Sequence, residues 1–340
     1  MKIVITEFCG LGNSVLLSDT FFFLNESGHD IKLIGSNKFG GLEIYKYNKN
    51  LKISYYKFYQ IIKNIKDVYK SDLNLIPHHS SPPFIFLIII FFFTKKNLVI
   101  SEYFFRNMNK IKLFFLNFIL FVRSVFFFQL KIKKINVSEL HHEKQINFNF
   151  INNLIKKKFK IENNTFYFPK NYKNIEKYNL KKNSYFVFQI SAANGSKTPK
   201  IWPTKNFIHL FELISAKYNN DKIVIIGDKG DLNYIQKFKT NNKLIDLRGK
   251  TSIDELISIL IFSKFVRCND SSILHLSDAL NIKNISLFGP TNFKKNYPTN
   301  KNSLYINKNL PCSPCMGWNS KIKKNISELQ AFKSCAINFK

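Results

Sequence analysis

The chain has 340 residues, and its 52 Lys+Arg against 22 Asp+Glu give a formal net charge of +30 at pH 7. That length suits two ordinary domains, each able to bury a core. The five cysteines, Cys9, Cys268, Cys312, Cys315 and Cys335, are too few and too oddly counted for a disulfide framework. The positive charge is spread along a Lys-, Asn-, Ile- and Phe-rich chain with no basic and aromatic interleaving, which argues against a nucleic-acid binder.

In chain order, MKIVITEF enters a strand directly, with no basic n-region and apolar h-region, so a cytoplasmic protein is expected. Lys2 to Phe8 reads as a buried strand, Gly10-Leu11-Gly12-Asn13 breaks it, Val15 to Leu24 is helical, Gly28 stops the helix, and Asp30 to Ile34 is a second strand. This is a βαβ unit, but a poor dinucleotide fingerprint: the third glycine is absent, and the second strand ends in Ile34-Gly35-Ser36-Asn37 with no acid for a ribose. A strand at Leu73 to Ile76 ends in Pro77-His78-His79-Ser80-Ser81.

The apolar runs Phe84 to Phe93 and Leu113 to Val122 are each about half the roughly 20 residues of a membrane-spanning helix, and Lys95-Lys96 and Arg123 end them. Neither should cross a bilayer. They read as buried core helices or, alternatively, as a basic and apolar face resting on an anionic membrane. Past Lys156-Lys157-Lys158 the chain turns polar, which gives a first domain at 1–165, a linker at 166–183, a second domain at 184–318 and a helical tail at 319–340.

The second domain opens with a strand at Tyr185 to Ile190. A helix capped by Thr204 runs to about Ala216, and strands follow at Lys222 to Ile226, ended by Gly227, and Leu244 to Leu247. Next, an apolar run ending near Phe265-Val266 meets Asn269-Asp270-Ser271-Ser272. Ile273, Leu276, Ala279 and Leu280 then mark a short helix with Asn281 as its C-cap, and Asn284 to Phe288 is a strand closed by Gly289-Pro290-Thr291. A strand, a polar turn and a helix N-terminus present free amides and a positive dipole end, so this turn is the first candidate for a phosphate or nucleotide site. On spacing alone Asp270 reads equally as an N-cap and His275 as a core histidine. Two such domains would set two strand-end faces across a cleft, an arrangement suited to group transfer.

Seven segments occur in the order of one family: GLGNSVL at 10–16, KIWP at 200–203, GDKGD at 227–231, LRGKTSIDELISIL at 247–260, NDSSILHLSDAL at 269–280, SLFGPT at 286–291 and CSPC at 312–315. The chain resembles glycosyltransferase family 9, the lipopolysaccharide heptosyltransferases and their relatives. The resemblance implies an α/β GT-B fold of two facing Rossmann-like domains with parallel sheets. It also implies inverting, metal-independent transfer from a nucleotide diphosphate sugar to a lipid-linked saccharide, with no cofactor and no nucleic-acid partner. The donor would bind the C-terminal domain and the acceptor the N-terminal one, at the cytoplasmic side of the inner membrane. A non-catalytic sugar-binding relative is the alternative.

Carried over by residue, the resemblance places the donor pyrophosphate on Asp270, Ser271 and Ser272, with His275 one helical turn later and Lys200 neutralising a phosphate. Ser191 and Ser196 are weaker phosphate candidates, and Asp228 or Asp231 could hold ribose hydroxyls. Ser272 stands where the family usually has glycine, so its Cβ restricts close approach while its hydroxyl can donate. Gly10 and Gly12 shape the acceptor-side loop. Asn13 stands where many members carry the Asp that takes the acceptor proton, and it cannot be that base. Glu7, Asp19 or His79 remain to serve instead, with Asn13 positioning the acceptor. Cys312 and Cys315 with Cys335 fall short of a four-ligand zinc site and support kinship. His141-His142-Glu143 reads as a helix start that could face the acceptor.

Overall fold

The computed structural model describes residues 1–36, 40–101, 104–105, 108–126, 130–135, 141–154, 166, 168–192, 200–234, 243–307 and 313–314. The chain divides into two compact units, Met1–Tyr167 and Phe168–Lys340. Each is built on a six-stranded sheet whose pairings are parallel.

Unit 1 runs β1 (Lys2–Glu7), α1 (Leu11–Glu26), β2 (Asp30–Gly35), β3 (Leu51–Tyr55), α2 (Ile61–Lys70), β4 (Leu73–Ile76), α3 (Phe84–Phe93), β5 (Asn97–Ser101), α4 (Lys110–Phe126), β6 (Lys131–Ile135) and α5 (Glu143–Asn149). Its strand order is β3-β2-β1-β4-β5-β6. Right-handed crossovers put helices that lead in opposite directions across a sheet on opposite faces. The sheet is therefore covered by α1 on one side and by α2, α3 and α4 on the other. The packing agrees: α2 lies on α3, α3 on α4, and α5 on α1. With both faces covered, β4 is buried along its whole length and β1 from its second residue on.

Unit 2 runs α6 (Lys173–Glu176), β7 (Tyr185–Gln189), α7 (Thr204–Lys217), β8 (Lys222–Ile226), β9 (Leu244–Asp246), α8 (Ile253–Ile261), β10 (Val266–Asn269), α9 (Ser272–Ala279), β11 (Asn284–Phe288) and β12 (Leu304–Asn307). Its order is β12-β11-β10-β7-β8-β9. The Ser252-Ile-Asp-Glu255 stretch forms a reciprocal capping box that starts α8. Asn281, at φ 56°, ends α9, and the Ile282 amide reaches back to the Ser277 carbonyl.

Several local expectations change: α1 starts at Leu11, inside the stretch read as a break, and β10 begins at Val266, where the apolar run was read to end. Of the linker read at 166–183, residues 168–183 belong to unit 2: Ile175 is buried, and Asn174 Nδ2 donates to Ser258 Oγ at 3.0 Å. Thr204 is the first residue of α7 rather than its cap, because Pro203, whose fixed φ suits a helix entry, precedes it. The N-cap of α9 is Ser271, which leaves Asp270 outside the helix with its carboxylate free for a long-range partner. The tail at 319–340, Ser196, Cys312, Cys315 and Cys335 lie outside the described residues.

Candidate functional site: two strand-order reversals

In an open parallel sheet the connections diverge where strand order reverses, leaving a crevice beyond the carboxyl ends of two neighbouring strands. Unit 1 reverses between β1 and β4, and unit 2 between β7 and β10. Most of the residues singled out from sequence sit in the loops at these two places.

In unit 2 the turns after β7 and β10 are tied together. Asn269 Nδ2 donates to the Ser191 carbonyl at 3.0 Å, and the Ser271 hydroxyl donates to Gln189 Oε1. Because that hydroxyl is committed to Gln189, α9 starts with no side-chain cap on its first amides. Those N–H groups and the dipole behind them suit an anion. Ser272, half-buried, has no hydrogen-bond partner for its hydroxyl among the described residues. Its Cβ therefore narrows the turn while its O–H remains a donor.

Lys200 Nζ lies 2.9 Å from Asp270 Oδ2, joining two segments 70 residues apart. Burial pulls the Asp270 carboxyl up, but the Lys200 ammonium and, more weakly, His275 outweigh it and hold the group below the usual carboxylate range. Asp270 thus stays ionised and fixes Lys200, which is about a quarter exposed, close to the start of α9. Trp202 anchors the same loop, with its ring 5.0 Å from Phe207 and the Arg267 guanidinium 4.9 Å from its face. Full burial lowers Arg267 to about 9, and the side chain donates to the Gln189 carbonyl at 3.1 Å. His275 is half-buried on α9.

Two sequence candidates prove to be loop fasteners. The Ser191 hydroxyl donates to Asp231 Oδ2 at 2.5 Å, and the Asp228 amide donates to the same oxygen at 2.8 Å. Burial raises the Asp231 pKa against those hydrogen bonds. Asp231 therefore joins the ends of β7 and β8. Asp228 is exposed and accepts from the Gly230 amide at 2.7 Å, a turn contact that leaves its outer face in solvent. Arg248, unremarked in the sequence beyond its motif, chelates Asp246 and donates to the Asp231 carbonyl at 2.8 Å.

In unit 1 the β4 loop is stitched to β1: Phe8 N donates to Ser80 Oγ at 3.1 Å, and that hydroxyl donates to the Thr6 carbonyl at 2.6 Å. Gly10 is the N-cap residue of α1, without a side-chain cap, and a Cβ built on it would meet nothing within 4 Å. Asn13, in the first turn with Gly12, is half-buried and makes no side-chain hydrogen bond among the described residues.

The structure separates the three candidate proton acceptors. Asp19 is spent in a buried ion pair with Lys144 at 3.1 Å, side chains 3% exposed on each side, which locks α1 to α5. Glu7 is fully buried under the α1 turn with Ser14 donating to it, and burial pushes its carboxyl up to about 7. Gly41 packs so close that a Cβ there would lie 2.6 Å from the Cys9 carbonyl, which helps seal Glu7 in. His79 is the one of the three with solvent access beside a fixed carboxylate: its Nε2 lies 3.0 Å from Glu143 Oε2, with side chains 18% and 4% exposed. The His142 ring caps α5 by accepting from Lys144 N at 3.2 Å, which aims Glu143 at His79.

His78, its ring tilted 55° against His79 with centroids 4.2 Å apart, completes a set of three ligand atoms within 4.8 Å of one another: His78, His79 and Glu143. The spacing is one that a divalent ion could use. Sequence reading missed Gln189 and the Glu143 contact. The only local signals were a polar residue ending an apolar strand and a carboxylate at a helix start.

The sequence model of the family described as glycosyltransferase family 9 (heptosyltransferase) matches residues 133–326. Lipooligosaccharide heptosyltransferase 2 of Campylobacter jejuni is 36% identical over 77 residues, 22% of this chain and 24% of that protein. The aligned stretch thus spans about a quarter of that curated relative's length. The solved structure of a family 9 glycosyl transferase from Veillonella parvula is similar with a TM-score of 0.67 at 17% identity, covering 90% of this chain and 85% of that one. The Escherichia coli ADP-heptose LPS heptosyltransferase II gives a TM-score of 0.63 at 13% identity, covering 98% and 97%. At such identities the likeness shows the fold, and that fold is GT-B, two Rossmann-like α/β domains with parallel sheets.

Proposed function

The chain belongs to glycosyltransferase family 9, the heptosyltransferase family, and from that premise we propose that it moves a heptose-like sugar from a nucleotide diphosphate sugar to a lipopolysaccharide core or related lipid-linked saccharide. The observation that carries this reading is the unit 2 turn, where uncapped amides opening α9 stand beside the Lys200–Asp270 pair. Negative charge collects on the leaving nucleoside diphosphate as the glycosidic bond breaks. Fixed amides and an ammonium aimed at that charge stabilise the transition state more than the ground state. With these groups taking up the charge, the donor step proceeds without a metal. The name of the Escherichia coli relative makes ADP-heptose the first donor to try.

Inversion at the anomeric carbon needs a group to accept the acceptor hydroxyl proton. We assign this to His79, with Glu143 holding the ring, while Asn13, Gly10 and Gly12 shape the acceptor loop. The assignment accounts for an amide at position 13. Asp228 is left to contact the nucleotide, and Ser196 keeps only the phosphate role that the resemblance implies. Work on a lipid-linked acceptor places the protein at the cytoplasmic face of the inner membrane, held there peripherally.

The test is release of ADP from ADP-heptose by the purified protein with and without a saccharide acceptor, followed by NMR of the product's anomeric configuration. Acceptor-dependent release with inversion is expected. ADP binding with no turnover across acceptors would make the chain a sugar-binding relative. Absence of both would overturn the reading.

A further inference from the structure

We propose that the outer side of the α2–α3–α4 layer of unit 1 is a docking face for an anionic lipid bilayer. The inference deepens the reading of a lipid-linked acceptor by naming the surface that would meet the membrane, and it rests on observations of its own.

Helix α4 is apolar on both sides, so its orientation is set by one polar anchor. Arg123 is buried and donates to the carbonyls of Phe91, Phe92 and Thr94 at the end of α3. With that anchor and Leu116 facing inward, the opposite side turns to solvent. Ile111, Phe114, Phe118, Phe121 and Val125, at steps of three and four, are each more than half exposed, and Phe115 lies 49% exposed beside them. The stripe is about 21 Å long by helical rise. Ile85 on α3 is 63% exposed, and its neighbour Phe84 lies 5.6 Å beneath the Lys112 ammonium. The entry to α2 adds Phe58, Tyr59 and Ile62, all exposed. Scattered apolar residues on a surface are ordinary; a continuous aromatic stripe on one helix is not.

Charge decides the occupant. None of the described residues from 73 to 135 is acidic, whereas Lys110 and Lys112 are exposed at the start of the stripe and Lys131, Lys133 and Lys134 on β6, the strand that follows α4. A second copy of this chain would bring the same lysines against these. A partner with apolar depth and a negative surface fits: acyl chains for the phenylalanines and acidic headgroups for the ammonium groups. The helix lies in the interface and does not span, since no helix of the described residues is long and apolar enough to cross a membrane.

The experiment is co-sedimentation of the full chain with vesicles of phosphatidylcholine alone, and of phosphatidylcholine and phosphatidylglycerol in equal parts, at low and high salt. Binding should require phosphatidylglycerol and weaken with salt. The triple variant Phe114→Ser, Phe118→Ser, Phe121→Ser should lose at least about tenfold in partitioning. Lys110→Glu with Lys112→Glu should lose about as much, and only on the anionic vesicles. These side chains are exposed, so melting temperature and ADP binding should hold, and turnover of a deacylated, soluble acceptor should match the unmodified protein. Failure to bind anionic vesicles, or binding unchanged in the triple variant, overturns the proposal and leaves the transfer reading intact. A dimer in light scattering that the triple variant dissociates, with no vesicle binding, assigns the face to a second copy and overturns it as well.

Discussion

The two units solve the same problem differently. Both place a carboxylate at or just beyond a central strand end, beside an uncapped helix. In unit 2 the acid, Asp270, has a cation 2.9 Å away and stays ionised. In unit 1 the acid, Glu7, has the Ser14 hydroxyl and the Cys9 amide, and burial lifts it to about 7. A pair of opposite charges makes a fixed electrostatic surface, whereas a lone buried carboxyl stays neutral until the pH approaches its raised value. On the proposed function, that contrast would assign the donor's charge to unit 2 and the acceptor's proton to unit 1.

The sharpest way to break that division is at His79. His79→Ala should lower kcat by about 10²- to 10⁴-fold while leaving ADP affinity, measured by calorimetry, unchanged. A matching loss of ADP affinity would contradict it. Glu143→Gln should give a smaller loss of the same kind.

Next is Glu7. Folded Glu7 keeps its proton to about pH 7, against 4.5 for the free side chain. Folding therefore takes up a proton between those values. Its stabilising contribution is fully present below pH 4.5 and is lost as pH rises through 7, on the order of 3 kcal/mol in all. Glu7→Gln should flatten that slope in urea titrations at pH 5 and pH 8 and make the protein more stable at the higher pH. An unchanged slope would mean that Glu7 is ionised in the fold.

On the other side, Lys200→Ala should weaken ADP binding by roughly tenfold or more and reduce kcat further. The smallest effect is expected from a chelator. If His79 and Glu143 act as an acid–base pair, dialysis against EDTA leaves turnover as it was; loss of activity restored by zinc would turn His78, His79 and Glu143 into a metal site.

How far the sequence could be read follows the distance over which its residues act. The positions of β1 and α9 are written in apolar runs, glycines and Asx/Ser turns within a few residues of each other, and both stand within a residue of the reading, whereas α1 starts at Leu11, inside the Gly-Leu-Gly-Asn stretch read as a break, and β10 begins at Val266, where the apolar run was read to end. The partnerships that build the sites are long-range. Ser271 with Gln189, Lys200 with Asp270 and His79 with Glu143 meet only because parallel strands cross over and bring distant loops together. No local spacing encodes them. The outward face of α4 was hidden for another reason: a helix apolar all round has no period to say which side is out, and the answer lay in Arg123, which in the sequence merely ends a run.

The outermost strand of unit 1 has its own consequence. A sheet border is an open row of amides and carbonyls, and in a chain with 36 phenylalanines it would be an invitation to polymerise. Here that border is Lys-Ile-Lys-Lys-Ile, and two such borders brought together would crowd three ammonium groups from each copy. Strand-to-strand growth is thereby opposed by like charge, and salt that screens it should also be what brings the purified protein out of solution.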